Sequence, residues 1–390
     1  MLLDHFSRKA HITSILFMVT LLAVTFIAGC SRQKEPIRIG FIGTLTGKYA
    51  DIGNDALIGV RIAIGEVNQK GGVGGRSIEL LIKDDSGSPE KAITAAEQLA
   101  TEGIDTIIGP NLSNVAVELV PWCDEHGLLL IAPTVSTSTL ARLDDAMIRV
   151  FPYNEPVAGK IVANFISQNI SRKSGVILYD AGNAAYTRDI VQYAEDAFAV
   201  AGLPVVSYPF LADEGFDYGA MIDETLTPED GFIYIVAAAM DTAMFSWQIK
   251  KQGLKPQLIF NHWAISDELY RIGNVAIEDA IFLTGHFPVE SSAALSGFKK
   301  KVAEHTTRTA YKFMIYGYEA TQLLIQGVEM DSSNLKQAIL DIGTFQGLQY
   351  EYSIDRYGDV RRPYFAIEIK NGAAVPFSPT LSPVKGATEK

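Results

Sequence analysis

The sequence predicts a two-lobed α/β protein in which parallel sheets are wrapped by helices. Three observations carry that reading. Short apolar runs alternate with helical patterns from Ile37 onward, and the same rhythm restarts after Met147–Phe151. The chain has 390 residues, 48% of them apolar, whereas a single core stops growing near ~250–300 residues.

Taken in order, Ile37–Gly43 is an apolar run of strand length, and Asp55–Asn68 repeats its apolar residues at helical spacing. Ser77–Lys83 reads as a strand, Pro89–Thr101 as a helix, Thr106–Gly109 as a strand, Asn114–Glu125 as a helix and Leu128–Ala132 as a strand. This βαβα order makes a parallel sheet, because each helix crosses back over the sheet it leaves. After Met147–Phe151 come helix Glu155–Asn169, strand Gly175–Tyr179, helix Ala184–Ala201, strands Val205–Phe210 and Phe232–Val236, helix Asp241–Gln252 and strand Gln257–Asn261. Ile281–Leu283 is a further apolar run, followed by helices near Ala293–Glu304, Phe313–Gly327 and Ser333–Ile339 and by two strand-like stretches, Gly347–Ile354 and Tyr364–Lys370. Those last strands are too few for a third sheet, so the chain is expected to cross back and complete both lobes. The expected division is 37–152 with 285–345 for the first lobe and 153–284 with 346–375 for the second. Residues 376–390 hold three prolines and no apolar period, and are expected to form a loose tail.

Charge narrows the partners. Lys plus Arg number 33 against 45 Asp plus Glu, a net charge of −12, and no basic run in the mature region offers a phosphate-tracking stripe, which argues against nucleic acid. The cysteines, Cys30 and Cys123, are too few for a disulfide framework. At the start, Arg8 and Lys9 precede an uncharged apolar run, Ile12–Ile27, and small residues stand directly before Cys30. That is the pattern of a secretory signal over residues 1–29, and the run is shorter than the ~20 apolar residues of a membrane span. "IAGC" resembles the bacterial lipobox, whose cysteine is acylated and becomes the new N-terminus. The resemblance implies a lipid anchor at Cys30, a tether over 30–36 and a mature chain held to a membrane outside the cytoplasm.

No catalytic, cofactor or metal set is legible. "GTLTGK" (Gly43 to Lys48) falls one residue short of a phosphate loop and has Tyr49 where a magnesium-binding hydroxyl belongs. "GGVGG" (Gly71 to Gly75) joins a helix to a strand, the wrong direction for cradling a phosphate, and reads as a tight turn. The mature histidines, His126, His262, His286 and His305, lie far apart, and no G-x-S-x-G elbow occurs. Asp84-Asp85 ends a strand and reads as a turn cap. What remains are polar loops at the carboxyl ends of first-lobe strands, where open α/β sheets bind ligands. Ser113 and Asn114 stand at a helix start, and "APTVSTSTL" (Ala132 to Leu140) brings Thr134, Ser136, Thr137 and Ser138. Free N–H groups and hydroxyls suit a small carboxylate, although ordinary N-capping by Ser and Thr explains the same residues.

Together these segments resemble the branched-chain amino acid binding family, the leucine/isoleucine/valine-type solute-binding proteins of bacterial ABC importers, over nearly all of Ile37 to Gly372. "IRIGFIGTLTGKYADIGNDALIGVRIAIGEVNQKGGVGGRSIELLIKDD" is similar to the family's opening. "IIGPNLSNVA" and "LLLIAPTVSTSTL" are similar to its two carboxylate-gripping loops, and "RVFPYNEPVAGKIVANFI" to its crossing into the second lobe. "YGYEATQLL" and "FQGLQYEYSIDRYGDV" are similar to the late interface helix and the return strands. The resemblance implies a type I periplasmic-binding-protein fold, two Rossmann-like lobes joined by three crossing segments and closing on a ligand. It places Ser113 on the ligand carboxylate, with Thr134 and Ser136 in the second carboxylate loop and Tyr186 in the "DAGNAAYTRD" stretch; Asn114 and Tyr49 join the expected site. Where leucine-type members carry a glutamate for the ligand ammonium, this chain has "NHWA", which puts Trp263 there as a cation-π or stacking face, or as a core residue. The implied function is a non-enzymatic, lipid-anchored, extracytoplasmic protein that passes a small carboxylate, an amino acid of branched-chain type, to an ABC permease. Its rivals are a sensing module for a receptor kinase and a binder of an aromatic acid or amide.

Overall fold

Residues 34–171, 173–284, 292–309, 312–363 and 365–377 are described by the computed structural model of the chain. The expected signal peptide and Cys30 lie outside them, as does the expected tail from 378 onward; its first two residues are not loose, since Pro376 pairs with Ile367 at the end of a strand and the Phe377 ring packs against Phe165. The first lobe contains β1 (Ile37–Gly43), α1 (Ala50–Gln69), β2 (Ile78–Asp84), α2 (Pro89–Thr101), β3 (Thr106–Ile108), α3 (Ser113–His126), β4 (Leu129–Ala132) and β5 (Met147–Arg149). Its five strands lie in the order β2-β1-β3-β4-β5 and every pair is parallel. Helices cover both faces of such a sheet, which is why β3, Thr-Ile-Ile, is buried throughout.

The second lobe runs through α4 (Pro156–Asn169), β6 (Gly175–Asp180), α5 (Ala184–Val200), β7 (Val205–Phe210), α6 (Tyr218–Thr225), β8 (Phe232–Val236), α7 (Ala239–Lys251), β9 (Gln257–Phe260), α8 (Asp267–Gly273) and β10 (Ile281–Thr284). The chain then returns through α9 (Ala293–His305), α10 (Lys312–Met330) and α11 (Leu335–Ile342). A three-stranded sheet of β11 (Thr344–Gln346), β12 (Glu351–Ile354) and β13 (Val360–Arg361) follows, and then β14 (Phe365–Lys370) and β15 (Ala373–Pro376). The second sheet has the order β15-β14-β10-β9-β8-β6-β7; β14 and β15 are antiparallel additions to a parallel core.

Helices α1 and α10 pack in backbone contact. A Cβ on Gly59 would stand 1.9 Å from the Met314 carbonyl oxygen, and one on Gly317 would stand 2.1 Å from that of Ala56, so only glycine admits this approach. The third crossing is drawn later than residue 346. Through β13 the chain stays on the first lobe, where the Arg149 N–H donates to the Gly358 carbonyl at 3.0 Å and the Arg149 guanidinium lies 2.8 Å from Asp359. Arg362 then marks the passage: its Nε donates to the Val150 carbonyl at 2.6 Å, and its guanidinium pairs with Glu319 at 2.5 Å over the Tyr352 ring. Only β14 and β15 rejoin the second sheet, because buried charges on the first lobe hold the preceding residues there.

Candidate functional site

The loops after β1, β3 and β4 face the loops after β6, β8 and β9 across a cleft, at the carboxyl ends of both sheets. From the first lobe, Ile52, Asn111, Leu112, Ser113 and Thr134 line a cavity there. The second lobe supplies Asn183, Tyr186, His262 and Trp263, and Phe313 closes the base from the start of α10. Its volume of about 20 Å³ is room for roughly one water, so a solute of several heavy atoms enters only as the walls draw apart.

Ser113 opens α3, where the Asn114 N–H donates to Asn183 Oδ1 at 3.1 Å and the Ala116 N–H to the Leu112 carbonyl at 3.0 Å, and the N–H groups of Ser113 and Val115 have no intrahelical acceptor. Its Oγ accepts from the Ser136 N–H at 3.4 Å, and Thr134 Oγ1 donates to the Asn111 carbonyl at 2.7 Å. Ser136 Oγ and Asn111 Oδ1 are buried without a hydrogen-bond partner. Buried polar groups left so cost about 1–3 kcal/mol each, which marks this wall as one prepared for a polar ligand.

The facing wall is aromatic and fixed by a hydrogen-bond chain. Asn261 Nδ2 donates to Tyr186 Oη at 2.7 Å, which leaves the phenol proton for His262 Nε2 at 3.1 Å. Burial, reinforced by Lys312, holds the His262 pKa well below its usual value, so the ring is a neutral acceptor. Lys312 is itself buried and donates to the His262 carbonyl; burial brings its pKa down to about 7. Trp263 lies 5.3 Å from both Tyr186, edge to face, and Tyr49. Among the described residues lining the cavity there is no Asp or Glu.

A charged contact bridges the lobes beside the cavity. Lys48, in the loop after β1, places Nζ 3.1 Å from Asp180 and 2.8 Å from Asp241, both fully buried carboxylates of the second lobe. Tyr49 donates to Asp180 at 2.9 Å and Tyr218 to Asp241 at 2.6 Å. Burial raises the Asp241 pKa and Lys48 lowers it, so the lysine opposes the cost of that buried charge.

Of the residues expected from the sequence, Ser113, Thr134, Tyr186 and Trp263 line the cavity, and Ser136 stands behind Ser113. Asn114 and Tyr49 make contacts between the lobes: Asn114 Nδ2 donates to the Gly182 carbonyl and Asn114 Oδ1 accepts from the Ala185 N–H, both at 2.8 Å. Sequence reasoning missed Asn111, Asn183, Phe313 and Lys48. The only signal for Lys48 lay in "GTLTGK", where its role is ion pairing rather than phosphate binding.

Comparison with known proteins gives one consistent picture. The model of a family described as periplasmic binding protein matches residues 36–374. A Leu/Ile/Val-binding protein homolog of Brucella melitensis is 23% identical over 347 residues, covering 87% of this chain and 93% of its own. Among solved structures, a leucine binding protein of Thermotoga maritima superposes with a TM-score of 0.79 at 23% identity, covering 88% of this chain and 98% of its own. A solute binding protein from R. palustris in complex with benzoate reaches 0.76 at 18% identity, covering 88% and 95%.

Proposed function

The chain belongs to the periplasmic binding protein family, and from that premise we propose that its cleft captures a small carboxylate, an amino acid, for delivery to an ABC permease. It is an extracytoplasmic binding protein, not an enzyme. The observation that carries the ligand reading is Ser113, a hydroxyl at the start of α3 facing Tyr186 and Trp263 of the other lobe. An oxygen anion there meets the N–H groups of Ser113 and Val115, the positive end of the helix and a hydroxyl donor. Asn111 Oδ1, buried without a partner, is a further polar atom on this wall. The name of the Brucella relative supports an amino acid.

A thermal-shift screen of amino acids and aromatic acids, followed by calorimetry, tests the proposal. Ser113→Ala should weaken the best solute about 10- to 150-fold, as loss of a hydrogen bond to a charged acceptor does. Unchanged affinity would leave Ser113 as an ordinary helix residue. A second reading, an aromatic acid, draws on the wall of Tyr186, Trp263, His262 and Phe313 and on the absence of Asp and Glu among the described lining residues. Benzoate stabilising the protein more than leucine does would favour it. We further assign the anchor to Cys30, on the strength of the preceding "IAG". Acylation at that thiol would hold the chain on a membrane by several lipid chains, and Cys30→Ser protein still fractionating with membranes would refute it.

A further inference from the structure

Behind the cleft lies a second, partly open space in the second lobe. Asn154, Glu155, Tyr193, Tyr234, Asn261 and His262 line it, and its volume of about 20 Å³ admits a single water-sized group. His262 borders both spaces, whereas Tyr186 belongs to the first and Asn261 to the second. The hydrogen-bonded chain Asn261–Tyr186–His262 is therefore the partition between them.

This second space collects acceptors. Asn261 is 2% exposed; its Nδ2 is spent on Tyr186, and its Oδ1 is buried with no partner. Asn154 spends Nδ2 on the Tyr186 carbonyl at 3.1 Å, which leaves its amide oxygen for another donor. Glu155 adds a carboxylate, and Tyr193 and Tyr234 add ring faces and phenol oxygens. No Lys or Arg is among the described residues that line it. Acceptors, a carboxylate and aromatic faces around a space of this size match a compact cation with several N–H donors. Among the described residues that line the first cavity there is no Asp or Glu to receive such a group.

We infer that the second space seats a primary ammonium group. The favoured solute is then an amino acid whose carboxylate and ammonium are separated by a short chain, with the carboxylate at Ser113 and the chain displacing the Tyr186–His262 hydrogen bond of the partition. The inference rests on the carboxylate reading of the cleft given above.

Calorimetry on the full chain with 4-aminobutanoate and 5-aminopentanoate, against butanoate and pentanoate, tests it. The ammonium should strengthen binding about tenfold or more. Glu155→Gln and Tyr234→Phe should abolish that advantage while leaving affinity for the plain carboxylates unchanged, with unliganded melting midpoints checking that each variant is folded. The inference is overturned if the ammonium gives no advantage, or if Glu155→Gln retains all of it. Leucine binding that depends on Ser113, without binding of the chain-separated amino acids, would sink this inference and leave the cleft reading standing. Failure of every carboxylate to bind would remove the cleft reading itself.

Discussion

Replacing Lys48 with Met should weaken solute binding by loosening the closed arrangement of the lobes, without touching the cavity wall. Lys48 is 27% exposed along its side chain and makes two close contacts, at 3.1 and 2.8 Å, with carboxylates 0% and 1% exposed. A hydrogen bond to a charged group contributes about 1.5–3 kcal/mol. Discounting for the solvent that reaches the lysine, and for the phenol donors that Tyr49 and Tyr218 leave on each carboxylate, about 2 kcal/mol of closure remains at stake, or roughly 30-fold. A binding-competent state reduced by that factor raises the apparent Kd by up to the same factor. Calorimetry measures the affinity, and small-angle scattering measures lobe separation. A double-mutant cycle with Asp241→Asn isolates the pair, since the lysine's loss should matter less once its partner is neutral. If Lys48→Met binds solute within twofold of the parent and scatters identically, the contact is not a closure device.

Further outcomes follow from other buried groups. Lys312 titrates near 7 when folded against about 10.4 when unfolded, so between those values the unfolded chain holds a proton that the folded chain lacks, and stability rises with pH across that window. Lys312→Met should flatten the rise in melting midpoint from pH 7 to 10; an unchanged slope would show that the lysine is not its source. Cys123 is fully buried and burial pushes its thiol up to about 12, so a thiol reagent at pH 8 should label the native protein at least about a hundredfold more slowly than the unfolded chain. Comparable rates would contradict its burial. Trp263→Ala should cost about 3–5 kcal/mol of stability, measured by urea titration, and extend the accepted solutes to bulkier ones in the thermal-shift screen. Unchanged solute preference would make Trp263 a core residue only.

The sheets were legible where apolar runs were long enough to carry a period. Ile37–Gly43, Val205–Phe210 and Phe232–Val236 stand as read. Helix α1 begins at Ala50 rather than at Asp55, because its first turn carries Asp51 and Asn54, whose roles are contacts rather than periodicity. Helices α6 and α8, of eight and seven residues, and β13, of two, went unread. The cavity's first-lobe side was readable from Ser113 and Thr134 because a hydroxyl at a strand end or helix start has a local signature. Lys48 was not: its partner Asp180 is 132 residues away, and no local pattern announces a contact made by folding two lobes together. The partition formed by Asn261, Tyr186 and His262 was hidden in the same way, since Tyr186 stands 75 and 76 residues from the other two and only tertiary hydrogen bonds join it to them.

The buried arginines at the third crossing bear on the order in which the molecule can be made. Arg149 is wholly enclosed in the first lobe and faces Asp359, and Arg362 reaches back 212 residues to Val150. A chain emerging from the ribosome in sequence order has finished all five strands of the first sheet long before either partner exists. Until then, closing that sheet's core leaves the Arg149 charge with the Thr137 and Leu140 carbonyls but without its carboxylate, and losing one member of a buried pair costs about 3–5 kcal/mol, on the scale of a domain's whole stability. The first lobe therefore gains its full stability only when nearly all of the chain has been synthesised, since the residues that lock it are among the last to be made.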